Sequence, residues 1–216
     1  GFTEANLPLY RASFAVTAAF FLLAALPTFL FLRERATPQR PMEGAPLWRE
    51  SLARLSRTGR QIRHYRDLFS YLVAYLIYTD AINTVIVASA IFANKVLDFS
   101  PGDLIIYFLV TQVTAGLGSV GFGALADRIG AKRTISLTLV LWIVLAGSAA
   151  LVQTHAQFYL IGLFAGAELG ANQSASRTLL ARFAPSGRQG EFFGFFSVTG
   201  KVAAVVGPLV YGEVTA

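Results

Sequence analysis

The sequence has no cysteine and only two histidines, which excludes several kinds of site at once. Without cysteine the chain can form neither a disulfide framework nor a thiolate metal centre. His64 and His155 are far apart in the sequence and lack carboxylates at a ligand spacing, so we expect no zinc centre. No P-loop, nucleophile elbow or cluster of histidines is present either, and we therefore expect neither an enzyme nor a bound cofactor.

Charged residues are also scarce. They make up 14% of the chain, whereas 55% of the residues are hydrophobic and the mean hydropathy is +0.56. A water-soluble domain of this size would not stay in solution with such a composition, so the chain is expected to belong in a lipid bilayer. Gly1 is the first residue and no basic segment precedes a short apolar core, so we expect no signal peptide and a chain cut from a longer protein.

Six apolar runs are each long enough to cross roughly 30 Å of hydrocarbon as a helix. They are residues 13–32, 68–92, 104–126, 134–152, 158–180 and 192–214. Backbone groups in lipid must be hydrogen-bonded within the segment, and no two-residue alternation is present. The sequence therefore predicts an all-α integral membrane protein with six transmembrane helices.

Basic residues are concentrated in alternate connections between these runs. The basic connections are residues 33–67, 127–133 and 181–191. The other two connections, residues 93–103 and 153–157, together contain a single lysine or arginine, Lys95. Because cytoplasmic loops carry an excess of lysine and arginine, the basic connections are predicted to be cytoplasmic and the other two to face outward. Topology and anionic lipid headgroups then explain the net charge of +6 without a nucleic-acid partner.

The first connection contains an amphipathic pattern. Its apolar residues recur at roughly helical spacing with arginines between them, and they are Leu47, Trp48, Leu52, Leu55 and Ile62. This pattern predicts a helix that lies on the inner membrane surface.

Three charged residues fall deep inside predicted spans, namely Asp80, Glu168 and Lys201. Charge at this depth is costly, so such residues are expected to face a cavity or a partner. Asn83 and Thr84 lie one turn from Asp80, and Asn172 lies one turn from Glu168, which predicts a polar face on each helix. The two carboxylates and the Lys201 ammonium are suited to bind an amino acid zwitterion or to carry a proton. The alternative is that the carboxylates bind helices together, with Lys201 either as the counter-ion of one of them or snorkelling toward the inner surface.

Gln173 and Arg177 form a second polar pair, one turn apart and nearer the cytoplasmic end. We interpret the pair as a site for an anionic group such as a substrate carboxylate. The alternative is that Arg177 is an interfacial anchor.

Glycines are spaced for close helix contact. Gly162, Gly166 and Gly170 recur at every fourth residue, which predicts a smooth stripe along one helix. Gly207 and Pro208 in the last span are suited to packing and to bending.

The connection at residues 121–133 reads GFGALADRIGAKR. Its glycines permit close helix approach and a tight turn, Asp127 can cap a helix N-terminus, and Lys132 and Arg133 can contact lipid headgroups. This loop is similar to the signature of the major facilitator superfamily, except that Ala131 stands at the usual first basic position. Residues 75–97 and 168–208 resemble the vacuole-effluxer-like branch, whose autophagy-related fungal members export amino acids.

The resemblance implies a piece of a transporter with twelve spans in two bundles. Residues 1–32 would hold the last helix of the N-terminal bundle, residues 33–66 the central cytoplasmic loop, and residues 67–216 a C-terminal bundle without its final helix. The missing N-terminal bundle of the same protein would be the partner of this half.

The resemblance also implies a function. The whole protein would move a small polar solute by alternating access, with amino acids as the leading candidate. An ion gradient would drive the movement, and the proton is one candidate for the coupling ion. The gating residues implied by the loop signature are Gly123, Asp127, Arg128, Gly130, Lys132 and Arg133. A non-transporting scaffold or receptor with the same fold is the alternative, and the short loops favour a prokaryotic inner membrane.

Overall fold

A computed structural model describes residues 7–32, 56, 59, 65–185 and 187–215. Its elements are the helices α1 (Leu7–Phe31), α2 (Arg66–Lys95), α3 (Pro101–Ile129), α4 (Ala131–Ala149), α5 (His155–Phe183) and α6 (Gln189–Thr215). Each predicted span coincides with one of these helices, and the all-α membrane fold is confirmed. The apolar positions at 47, 48, 52, 55 and 62, which predict a surface helix, lie outside the described residues.

Five of the described helices are long and apolar enough to cross a membrane by composition alone, and α5 does not meet that standard. Polar side chains such as Glu168, Asn172 and Arg177 lower its hydropathy. However, α5 has ten buried residues, more than any other described helix. A helix enclosed by other helices is free to be more polar, because many of its side chains contact protein rather than lipid.

The chain divides into two compact units, Gly1–Leu47 and Trp48–Ala216. The described part of the first unit is α1, a helix of 25 residues with Pro27 inside it. The second unit contains α2 to α6. Within this unit α5 packs against α3 and α4, and α2 packs against α6.

The predicted glycine stripe forms the contact between α3 and α5. A Cβ atom on Gly162, Gly166 or Gly170 would overlap α3, and the α3 residues that it would meet are Tyr107, Thr111, Thr114 and Ala115. For Gly170 the obstacle is the main-chain carbonyl of Ala115. The two backbones are therefore so close that no larger residue fits between them.

The two connections predicted to face outward contact each other. The His155 imidazole Nε2 lies 2.6 Å from the Leu97 carbonyl oxygen, and the Tyr159 hydroxyl donates to the Asp103 carbonyl at 3.2 Å. The Phe99 ring packs against His155, with 4.5 Å between the ring centroids. At this end of the second unit the start of α5 therefore contacts both the α2–α3 connection and the start of α3.

The turn between α3 and α4 depends on Gly130, whose φ of 92° lies in a region that side chains disfavour. A Cβ on Gly130 would meet nothing within 4 Å, so a substitution there would strain only the backbone. We expect Gly130→Ala to destabilise the protein by about 1–3 kcal/mol, seen as a lower melting temperature in detergent.

Gly121→Ala is the matched control for that substitution. Gly121 lies in the same loop signature, is helical, and also has open space around its Cβ position. Because alanine favours helix over glycine, the control is expected to leave the melting temperature unchanged or raise it slightly. An equal loss in both variants would contradict a special role for the Gly130 backbone.

Candidate functional site

A chain of hydrogen-bonded polar side chains lies buried between α2, α4 and α5. We call it the buried polar cluster, and its members are Tyr71, Tyr78, Thr138, Asn172 and Ser176. From α2, the Tyr71 hydroxyl donates to the Ser176 carbonyl at 2.8 Å, and the Tyr78 hydroxyl lies 2.8 Å from Ser176 Oγ. Ser176 Oγ donates to Asn172 Oδ1 at 3.3 Å, and Asn172 Nδ2 donates to Thr138 Oγ1 at 3.3 Å. Three helices are therefore joined by one polar path.

Helical spacing brings these residues together. Glu168, Asn172 and Ser176 recur every fourth residue and form one column on α5. Thr138 and Trp142 share a face of α4 for the same reason. Each helix thus presents one polar column, and the columns meet inside the unit.

Glu168 continues the α5 column by one turn beyond Asn172. Its side chain is 5% exposed, and its Oε2 atom is buried without a hydrogen-bond partner. The alternative in which Lys201 is a counter-ion is not seen in the described part of the chain. Lys201 is exposed there and makes no ion pair with either Glu168 or Asp80, because its helix presents it on an outer face. Glu168 is therefore a buried carboxyl group without a nearby cation.

Asp80 has a different environment. Its Oδ1 atom accepts a hydrogen bond from the Gly207 backbone N–H of α6 at 2.5 Å. A Cβ on Gly207 would collide with Thr84 and Asp80, so α2 and α6 are in close contact here. Asn83 is half-buried one turn away. Asp80 therefore contacts the α6 backbone next to Pro208 and lies outside the buried polar cluster.

The second predicted pair, Gln173 and Arg177, lies on a more open face of α5. Both line a cavity of about 590 Å³ between α3 and α5, which we call the polar cavity. Its other polar wall residues are Gln112, Ser119, Ser174 and Thr178. The structure therefore separates the predicted site residues of α5 into a buried pair, Glu168 and Asn172, and an open pair.

A second cavity, of about 240 Å³, lies between α2, α3, α4 and α5. We call it the apolar cavity, because its walls are mainly hydrophobic side chains such as Tyr107, Trp142 and Phe158. Gln112 and Leu169 line both cavities, so the two spaces meet at these residues.

The loop signature lies at the α3–α4 turn. Asp127, Arg128, Lys132 and Arg133 are all exposed. Asp127 does not cap a helix, contrary to the prediction, because α3 continues past it to Ile129 and the N-cap of α4 is Gly130, which has no side chain. Gly123 packs against Ser174 of α5, where a Cβ would lie 3.6 Å from the hydroxyl oxygen. The gating role of these residues stays a prediction.

Sequence reasoning missed most of the buried polar cluster. Tyr71, Tyr78, Thr138 and Ser176 are residue types that occur throughout apolar helices without a special role. The signal that was available is their regular spacing, since Ser176 is one turn beyond Asn172 and Tyr78 is two turns beyond Tyr71.

Comparison with known proteins gives one family. The model of the family described as vacuole effluxer Atg22 like matches residues 2–216. The chain is 31% identical over 200 residues to an uncharacterized MFS-type transporter, YxiO, of Bacillus subtilis, covering 93% of this chain and 46% of that protein. It is 27% identical over 172 residues to autophagy-related protein 22 of Candida glabrata, covering 73% of this chain and 32% of that protein.

A similar match extends to filamentous fungi. Autophagy-related protein 22-2 of Aspergillus clavatus is 24% identical over 236 residues, covering 95% of this chain and 38% of that protein. The chain thus spans less than half the length of these curated relatives. No solved structure gives a significant match.

Proposed function

Because this chain belongs to the vacuole effluxer Atg22-like family, we propose that the whole protein is a secondary active transporter that moves small polar solutes across a membrane. Amino acids are the leading substrate class, and an ion gradient drives the movement. The membrane is a prokaryotic inner membrane, a proposal supported by the similarity to a bacterial protein. The chain itself is a multi-pass membrane protein.

The observation that carries the proposal is the buried carboxyl group of Glu168. Its Oε2 atom has no partner and no cation lies within ion-pair distance among the described residues. A carboxylate in such a site is costly unless it is neutralised, and ionisable residues inside the membrane mark ion pathways. A structural role would favour a fully hydrogen-bonded group, whereas a site that loads and releases a proton or another cation needs a free oxygen.

The polar cavity supplies a site for the solute. Its volume of about 590 Å³ falls within the range of roughly 300–1,000 Å³ that is usual for small-molecule sites. Arg177 can bind a carboxylate through two parallel hydrogen bonds, and Gln112 and Gln173 offer amide donors and acceptors beside it. We propose that this cavity is one half of a solute site whose other half comes from the N-terminal bundle.

The exposed loop signature supports a gating role. Asp127 and Arg128 make no ion pair within the described part of this chain, so their charges are available to the other bundle. Alternating access requires an interface that forms and breaks, and we propose that this turn is one such contact.

Transport into proteoliposomes tests the proposal. The full-length protein is reconstituted, and uptake of labelled amino acids is measured with and without an imposed pH gradient. We expect the gradient to increase uptake by the unmodified protein, whereas Glu168→Gln takes up the same amount under both conditions, because it can no longer exchange a proton.

Glu213→Gln is the matched control, since Glu213 is an exposed acid near the end of α6. It is expected to keep the full response to the gradient. An equally full response in Glu168→Gln would remove Glu168 from coupling. Failure of the unmodified protein to move any amino acid or other small solute would favour the scaffold or receptor alternative.

Arg177→Gln tests the solute site separately. A hydrogen bond to a charged group contributes about 1.5–3 kcal/mol to binding. We therefore expect the KM for an amino acid to rise about 10- to 100-fold with little change in maximal rate. Arg182→Gln, an exposed arginine in the last turn of the same helix, is expected to leave KM unchanged. A reduced maximal rate with an unchanged KM would contradict a binding role for Arg177.

A further inference from the structure

Two buried side-chain atoms have no hydrogen-bond partner in the described part of the chain. One is Glu168 Oε2 on α5, and the other is Trp142 Nε1 on α4. Both side chains are more than nine-tenths buried, with 5% of Glu168 and 6% of Trp142 exposed. Buried polar groups are nearly always paired, so two unpaired atoms in one helix interface require an explanation.

The register of α4 and α5 places these two residues opposite each other. The two helices are joined by a short turn and pack together, so they run antiparallel. Asn172 of α5 is hydrogen-bonded to Thr138 of α4. Trp142 lies one turn further along α4 and Glu168 lies one turn back along α5, which brings both to the next level of the same interface.

The apolar cavity supports the same placement. Trp142 lines it together with Ala165 and Leu169, which lie three residues before and one residue after Glu168. The indole therefore faces the segment of α5 that contains the carboxyl group.

The two atoms are chemically complementary. The indole N–H is only a donor, and an ionised carboxylate is only an acceptor. A protonated carboxyl group offers a weaker acceptor, because charge-assisted hydrogen bonds are the stronger kind. The pair therefore distinguishes the two protonation states of Glu168.

We propose that Trp142 is a positioning residue for the coupling site. Its indole N–H donates to Glu168 when the carboxyl group is ionised, a bond that is not formed in this structure, and the bond weakens when Glu168 takes up a proton. The inference rests on the proposed transport function, in which Glu168 exchanges a proton. The indole bond would hold the empty, ionised form in place between loading events.

Few other titratable groups face Glu168 from the packed helices. The hydroxyls of Tyr71 and Tyr78 on α2 bond to Ser176, which is two turns from Glu168 along α5, and Asp80 of α2 is bonded to α6. In the described range α4 places no titratable group in the buried polar cluster, and the Tyr107 ring of α3 packs against Gly162, more than one turn away on α5. Lys201 of α6 is exposed. A pH response of the Trp142 indole would therefore report on Glu168.

Nuclear magnetic resonance of the indole N–H tests the inference directly. The chain has two tryptophans, so Trp48 and any tryptophan outside this chain are replaced by phenylalanine in the full-length protein. We expect the Trp142 Nε1–H signal to shift with pH in this background and to stop shifting when Glu168→Gln is added. A signal that is insensitive to pH, or that shifts equally in Glu168→Gln, would overturn the proposal.

The pH profile of transport is the second measurement. Without the indole donor the ionised carboxylate is less stable, so Trp142→Phe should reach half-maximal coupling at about tenfold lower proton concentration. Tyr107→Phe, which removes a hydroxyl from the same apolar cavity, is expected to leave the profile unchanged. An unchanged profile in Trp142→Phe would also overturn the proposal. Absence of transport in the unmodified protein would refute the proposed function. The pH titration of the indole signal would still show whether Trp142 bonds to Glu168.

Discussion

Gly170→Leu is expected to leave almost no correctly folded protein. A Cβ at this position would overlap the main-chain carbonyl of Ala115, and a backbone obstacle cannot rotate away as a side chain can. Overpacking a core costs about 1–3 kcal/mol and sometimes more, and separating two backbones is expected to cost about 3 kcal/mol or more. The substitution would separate α3 from α5 and so disrupt the centre of the second unit and the wall of the polar cavity.

Size-exclusion chromatography in detergent and the melting temperature measure this effect. Gly147→Leu on α4 is the matched control, because a Cβ on Gly147 would meet nothing within 4 Å. We expect a single symmetrical peak from the control and aggregated material from Gly170→Leu. A stable, monodisperse Gly170→Leu protein would show that the two helices have room to separate.

Asp80→Ala is expected to impair both stability and transport. It removes the acceptor for the Gly207 N–H, and a hydrogen bond to a charged group is worth about 1.5–3 kcal/mol. The loss falls next to Pro208, where the α6 backbone already lacks one donor. Because Asp80 fixes the α6 backbone beside this proline, we expect the melting temperature to fall and, in the proposed transporter, uptake to fall by about tenfold.

Asp80→Asn separates this structural role from ion binding. Asparagine retains an oxygen that can accept from Gly207 but cannot exchange a proton. If Asp80 mainly supports α6, the asparagine variant should keep most of the melting temperature and of the uptake that the alanine variant loses. Uptake as low in Asp80→Asn as in Asp80→Ala, at a normal melting temperature, would instead make Asp80 part of the ion site.

Much of the fold could be predicted because the membrane leaves few choices. Apolar runs of about 20 residues must become helices in lipid, so five of the described spans follow from length and composition, whereas α5 is too polar to meet that standard. The glycine stripe at 162, 166 and 170 was also readable, because residues at every fourth position share one helix face. The ends of the helices were less accurate. For example, α1 begins at Leu7, whereas the predicted span begins at residue 13.

The candidate site was only partly predictable. The depth of Glu168 and its spacing to Asn172 indicated a polar face, and both residues are buried beside the hydroxyl network. Lys201 was a reasonable counter-ion by depth alone, but depth does not determine the direction in which a side chain points around its helix. Its exposure depends on which face of α6 packs against α2.

The sequence by itself determined the class of protein, the order of the described helices and the close approach of α5 to a neighbour, since these depend on hydropathy and on spacing along one helix. Only the tertiary structure decided which helix that neighbour is, that Asp80 binds the α6 backbone, and that Trp142 and Glu168 each bury a polar atom without a hydrogen-bond partner among the described residues. Such pairings depend on the rotation and register of helices that are distant in sequence. Many combinations bury similar apolar area, so hydropathy does not distinguish them.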